Sequence, residues 1–483
     1  MSDYDAIVIG GGPSGLFAAL ELARTGHRIA LIEKGGDMRA SLCPKIRKEL
    51  TRGRIIQAER YRQQCPRCTC LEGLGGAAFH FDTTLGYSEH LSRSKVELEP
   101  EQRTVHRFSG LERALGSFDR AAALVREVFE ICFEFGLPPE HAPEDATVLR
   151  ERGRVFTHVD ISPSQAVTMP SALTMIDGIL AELHERGADV LVQAPAETIE
   201  PGLSRRWAVV ATVEGRRTSL EADAVVVGVG KSALRWMQAL MGSLDLAHAP
   251  CDRADLGVRI ETWREDLAPL VGGCHNPKLA FLNDRGESVR TFCVTDGGRL
   301  MQYEFDGVPV LEGQHFLSAP TQRTNIGVVT TVAVRDGRDA AEVALDVGRR
   351  VAEVGNGEPV VESVGELFGT GDTNGDGPTC SLVRHTRGDL RECLPDHLID
   401  DVGRMIELLN EVSPGCIQPY ALLAAPVIER VHPSLELSRD MEASAPGIFL
   451  VGDCSSKLIG ISYGAATGLA AARAIAAEVG APR

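Results

Sequence analysis

Residues 5–34 restrict the fold more than any other stretch. Ala6–Ile9 is a short apolar run, the pattern of a parallel strand buried on both faces. Gly10, Gly12 and Gly15 follow as G-x-G-x-x-G. Gly10 permits a tight turn out of the strand. Gly12 leaves the backbone open to a pyrophosphate, and Gly15 lets the next helix lie close on the strand. Pro13 falls near the first helical turn, where a missing N–H costs little. Leu16, Ala19, Leu20 and Ala23 share one helix face, and Gly26 ends it. Arg28 to Ile32 reads as a second strand. Glu33 stands 21 residues after Gly12, where an acid can accept hydrogen bonds from a ribose. A glycine motif set between strand and helix, with its acid in register, predicts a dinucleotide site. It does not choose between FAD and NAD(P).

At 483 residues the chain is long enough for two or three domains. Its net charge of −17 argues against nucleic acid or an anionic membrane surface as main partner. No apolar run approaches the ~20 residues of a membrane helix. Asp3 and Asp5, with no basic segment beside them, give no signal-peptide pattern, so a cytoplasmic location is expected. Twelve cysteines in such a chain suggest reduced thiols or ligands rather than a disulfide framework.

After Glu33 comes a basic, cysteine-bearing segment from Cys43 through Arg47, Arg52, Arg54, Arg60 and Arg62 to Cys65-Pro-Arg-Cys68-Thr-Cys70. Its positive field suits cofactor phosphates, an anionic substrate or a solvated face. Gly73-Leu-Gly75-Gly76 follows, a loop able to bring backbone N–H groups near a ligand. Helices are predicted over 111–136, 170–187, 338–354 and 396–412. Strands are predicted around 189–193 and 207–212, over 222–230, and through 256–335. Residues 369–378 read as a long loop. Gly228, Gly230 and Ala233 spell G-x-G-x-x-A, so a second nucleotide site is considered, although no in-register acid follows clearly. Near the end, Pro446 to Asp453 is a strand finishing in Gly452-Asp453. Lys457, Gly460, Ile461, Tyr463 and Gly464 then lead into an Ala-rich helix. A helix N-terminus there would favour negative charge, and the aspartate suits a polyol hydroxyl.

The motif Gly10–Glu33, the segment Val225–Gly230, and Gly452-Asp453 with its helix occur in that order in FAD-dependent oxidoreductases of the glutathione-reductase-like type. Cys65–Cys70 before Gly75-Gly76-Ala77, Gly230-Lys-Ser with Trp236, Leu256-Gly-Val-Arg-Ile-Glu, Arg290-Thr-Phe-Cys and Thr324-Asn-Ile-Gly resemble a bacterial family of FAD-dependent dehydrogenases. The resemblance implies an α/β protein. A discontinuous Rossmann-like FAD domain (1–245 and 425–483) would surround a mixed α+β cap or substrate domain (246–424). It implies FAD contacts at Gly10, Gly12, Pro13, Ser14, Gly15, Glu33, Lys34, Gly75, Gly76, Gly230, Gly452, Asp453, Gly460, Ile461 and Gly464. Two positions depart from the family pattern as read: Cys454 replaces a glycine, and Ala78-Phe-His80-Phe replaces Gly-Ala-Phe-Ser-Asp.

A flavin would carry the redox chemistry, and a neighbouring acid or base would serve a small-molecule substrate. His80, Lys457 and Tyr463 are the best-placed candidates, with His385, Cys293 and His432 behind them. Three readings of the cysteines stay open. Cys43, Cys65, Cys68 and Cys70 could hold zinc or an iron–sulfur cluster. Cys65 and Cys68 could form a redox dithiol. The thiols could also be inert. NAD(P)H is a candidate electron donor. The runner-up functions are a flavin-linked thiol–disulfide oxidoreductase and a non-catalytic protein that retains FAD.

Overall fold

The computed structural model describes residues 3–52, 54, 68, 70–79, 81–86, 110–139, 147–160, 164–249, 251–271, 276–334, 337–370 and 377–479. His80 and Cys65 lie outside the described residues.

The first sheet has a parallel centre. Ile29–Ile32 pairs with Asp3–Ile9, which pairs with Arg216–Val227. Asp189–Leu191 extends one side of it. Arg216–Val227 is shared along its length. Its second half takes Ile448–Leu450 in parallel, and its first half takes Trp207–Val213 antiparallel, followed by Ala196–Pro201. The short apolar run explains the centre. Ala6 and Val8 enter the hydrophobic cluster on one face, while Ile7 and Ile9 enter that on the other. Both faces are thus covered, as a parallel strand requires. Helices Pro13–Arg24, Phe118–Glu134, Met169–Glu185 and Ile461–Val479 supply the first cluster.

The single helix expected over 111–136 is two, Leu111–Ala114 and Phe118–Glu134. Gly116 between them takes a left-handed φ of 75°, and the Ser117 side chain accepts from Arg120 N to start the second. Periodicity carried across this break because apolar positions on both sides face one core. The predicted helices 338–354 and 396–412 are Ala340–Val354 and Asp396–Val412.

The second sheet has eight strands. In order they are Thr386–Arg387, Val360–Ser363, Leu422–Glu429, Arg253–Trp263, Arg323–Ala333, Ser288–Thr295, Lys278–Leu282 and His158–Asp160. Two contributions come from outside 246–424: the edge strand His158–Asp160 and the last residues of Leu422–Glu429. A separate hairpin, Arg299–Phe305 with Val308–Gln314, packs beside this sheet.

Candidate active site

One cavity of about 1800 Å³ runs from the carboxyl ends of the first sheet's strands to the hairpin of the second layer. Ile9, Ile32, Gly228 and Gly452 are strand ends or the residues just beyond them, and all line it. Ligands of open α/β sheets bind there. Single small-molecule pockets span roughly 300–1,000 Å³, so the volume allows for a dinucleotide with a second ligand.

The glycine turn is built as its spacing predicts. Gly10 has φ 103°, and a Cβ there would lie 2.6 Å from Gly228 O. A Cβ on Gly15 would lie 1.9 Å from Gly10 O, so Gly15 serves helix packing and does not line the cavity. Above Gly12 the nearest atom to an added Cβ is Gly76 Cα at 4.0 Å, which leaves open space at the helix N-terminus. Such a terminus presents N–H groups and a positive dipole end to phosphate. Pro13, Ser14 and Lys34 line the same wall.

Glu33 is buried and holds the turn together. Its Oε2 accepts from Gly11 N at 2.7 Å, and its Oε1 accepts from Gly35 N at 2.8 Å and Gly73 N at 3.2 Å. A carboxylate offers about four lone-pair sites. Three are taken, so one remains for a ribose hydroxyl. The loop after Gly73 is drawn in by the same acid, and Gly75 N donates to Gly11 O at 2.8 Å. Gly76 faces the cavity, whereas Gly75 is turned toward Ile176.

The chain's far end completes the cradle. Gly230, Gly452, Asp453, Gly460, Ile461 and Gly464 all line the cavity. Asp453 leaves 42% of its side chain exposed toward it, and its Oδ2 lies 3.5 Å from Nε2 of buried His432. Burial raises the Asp453 carboxyl, but His432, Lys231 and Arg430 outweigh it and hold the group below its ordinary range. Lys457 and Tyr463 also line the cavity. Burial lowers the Lys457 ammonium, and the Tyr463 hydroxyl lies over Gly86. An open turn at a helix N-terminus, a carboxylate with a lone pair to spare and a second, half-exposed carboxylate on one wall fit FAD.

Other expectations change. Cys454 is buried beneath the sheet, its single S–H within reach of Val227 O and Val451 O, both at 3.3 Å, and it does not line the cavity. His385 stands apart from the cavity, while Cys293 and His432 line it. Gly228 packs against Gly10 and Gly15, so the second glycine segment belongs to the first site and gives NAD(P)H no support. The metal reading also lacks support. Among the described residues no group of three or more His, Cys, Asp or Glu is placed to hold an ion. Cys43 precedes the helix Pro44–Thr51, whereas Cys68 donates its N–H to Gln302 O at 2.8 Å and lines the cavity. The dithiol partner Cys65 lies outside the described residues.

Sequence reading missed the residues of the opposite wall. Lys231 Nζ donates to Tyr303 Oη at 2.8 Å, Ile428 O at 2.9 Å and Glu429 Oε1 at 2.5 Å. Burial lowers the Lys231 ammonium, but Glu429, Tyr303 and Glu312 outweigh this and hold it above its ordinary range. Burial pushes Glu429 up to about 7. His315, on the same wall, is held down to about 4, by burial first and then by Arg259. Only Lys231 carried a signal, directly after the Gly228–Gly230 strand end. The others come from strands distant in sequence.

Residues 5–43 match the family model described as FAD binding domain. No curated protein matches the chain. Among solved structures, it is similar to a geranylgeranyl bacteriochlorophyll reductase-like protein from Thermoplasma acidophilum. That likeness has 14% identity and TM-score 0.38, covering 99% of this chain and 79% of that one. It is also similar to a 3-ketosteroid-delta4-(5alpha)-dehydrogenase from Rhodococcus jostii RHA1 (12%, TM-score 0.40, 98% and 97%). A third likeness is to a glycine oxidase from Geobacillus kaustophilus (13%, TM-score 0.37, 100% and 99%). These overall likenesses carry no weight in assigning a substrate. Among the described residues no helix is long and apolar enough to cross a membrane. The segment that opens on Gly10–Glu33 thus matches an FAD binding domain, in agreement with the cradle that lines the cavity.

Proposed function

We propose that the protein oxidises or reduces a small organic molecule bound between the glycine wall and the hairpin wall of the cavity. The observation that carries this reading is the continuity of the cavity from Gly12 and Glu33, past Asp453, to Tyr303 and Glu312. When bound, FAD supplies hydride transfer. The chain's residues do the rest. The Gly10–Pro13 turn and the N-terminus of Pro13–Arg24 would receive the pyrophosphate, Glu33 a ribose, and Asp453 the polyol. His432, with Nε2 3.5 Å from the Asp453 carboxylate, lies behind it. Gly460 to Gly464 would close on the ring end, with Lys457 and Tyr463 beside it. On this reading the first sheet and its helices form the cofactor domain, in sequence 1–245 and 425–483. The segment 246–424 forms the greater part of the cap.

The test is an anaerobic titration of FAD-loaded protein with panels of alcohols, amines, aldehydes and enones, followed by the flavin absorption band. Bleaching or recovery of the band by one class supports the reading. A flavin that responds to none of them, while dithionite still reduces it, contradicts it in favour of a non-catalytic FAD protein.

A further inference from the structure

We propose that Tyr303 donates a hydrogen bond to the carbonyl oxygen of a neutral substrate, with Lys231 and Glu429 positioning its hydroxyl. The proposal rests on the substrate reading above and names the class of substrate.

The argument begins with the donors of Lys231. An ammonium has three N–H groups and accepts nothing. All three are directed at Tyr303 Oη, Ile428 O and Glu429 Oε1. Lys231 therefore has no donor left for a ligand. In the bond between them the tyrosine oxygen must accept, which leaves its own O–H to donate elsewhere. Among the described residues nothing receives that proton, and Tyr303, Lys231 and Glu429 all line the cavity. Burial holds the Tyr303 phenol above its ordinary range despite the opposing charge of Lys231, so it remains a donor at neutral pH.

A second group stands on the same hairpin face. Tyr303 pairs with Val310 and Met301 with Glu312, so Glu312 is the diagonal neighbour of Tyr303 across the two strands. Glu312 Oε1 is buried without a hydrogen-bond partner among the described residues, and Glu312 lines the cavity. The wall thus offers one committed donor beside acidic groups. Lys278, Arg290 and Lys457 also line the cavity, but at the Tyr303 hydroxyl itself a substrate carboxylate would meet Glu312 and Glu429. Ammonium groups would have no use for the Tyr303 donor. A neutral carbonyl oxygen accepts only and suits the site, with Met301, Phe292 and Phe305 against the apolar body.

The test uses 4-(dimethylamino)benzaldehyde, a neutral aldehyde whose absorption band moves to the red when its carbonyl oxygen accepts a hydrogen bond. FAD-loaded wild-type protein is expected to bind it with a red shift. Tyr303→Phe should bind about tenfold more weakly, the loss of one hydrogen bond, and abolish the shift. Its FAD content should be unchanged. The double variant Lys231→Met/Glu429→Gln should keep its FAD and show a diminished shift, a signature a merely structural role would not move. Equal affinity and equal shift in Tyr303→Phe overturn the proposal, as does failure of the wild type to bind the aldehyde. Flavin content, read separately, distinguishes the two readings. Protein without flavin that still shows a Tyr303-dependent shift loses only the cofactor. Loaded protein with a Tyr303-independent shift loses only this proposal.

Discussion

A Cβ on Gly452 would lie 2.0 Å from Oγ of Ser14, so the turn after the last strand and the first helix touch where only glycine fits. Gly468 repeats the relationship one level down, with an added Cβ 2.2 Å from Ser14 O. These contacts join the two ends of the chain into one cradle. Gly468→Val is expected to destabilise the protein by roughly 1–3 kcal/mol through overpacking. Gly452→Ala adds strain at φ 68° and should also weaken FAD. Urea unfolding and cofactor titration check both. Unchanged stability in both variants would mean the helices do not cross this closely.

Glu33 links a structural role to a binding role. Glu33→Ala leaves the N–H groups of Gly11, Gly35 and Gly73 without their acceptor. A loss of roughly 1–3 kcal/mol is expected, together with weaker FAD binding. Glu33→Gln should retain part of both, because its carbonyl oxygen still accepts. Thermal unfolding with and without added FAD separates the two effects.

Lys231 and Glu429 are a buried pair, with side chains 16% and 11% exposed. Either single change, Lys231→Met or Glu429→Gln, strands a partner. Lys231→Met should cost roughly 3–5 kcal/mol, because it leaves the Glu429 charge unopposed. The double variant should cost less than the sum of the singles. A double-mutant cycle by denaturant unfolding measures this, and additivity would show that the pair is not coupled.

His315 gives a pH dependence. In the unfolded chain histidine titrates near ~6.5; in the folded chain it is held down to about 4. Between these values the unfolded chain binds the extra proton, so stability contributed by neutral His315 is lost as pH falls through that window. His315→Gln removes the dependence. The stability of the variant relative to wild type should therefore rise from pH 6.5 down to 4. A difference that stays flat with pH would place the ring in water.

Much of the cofactor wall was legible, because its chemistry is local. Gly10, Gly12, Gly15 and Glu33 sit at spacings that one strand, one turn and one helix dictate. Gly452-Asp453 announces itself as a strand end before a helix. The opposite wall was not legible, because it is assembled by pairing. Tyr303 and Glu312 share a face only through the register of a hairpin, and Lys231, distant in sequence, donates to Tyr303 Oη. The place of the Cys454 side chain was not legible for a related reason. Residue order does not say which side of a short helical turn faces the sheet, and here the thiol turns under it to bond Val227 O.

The most direct measurement is the cofactor content of the purified protein. The account predicts a yellow protein that releases about one FAD per chain on denaturation, and a Gly12→Val variant that retains little, because its side chain would stand in the phosphate's space. A colourless wild-type protein that takes up no FAD, or that binds NAD(P) in its place, would contradict it.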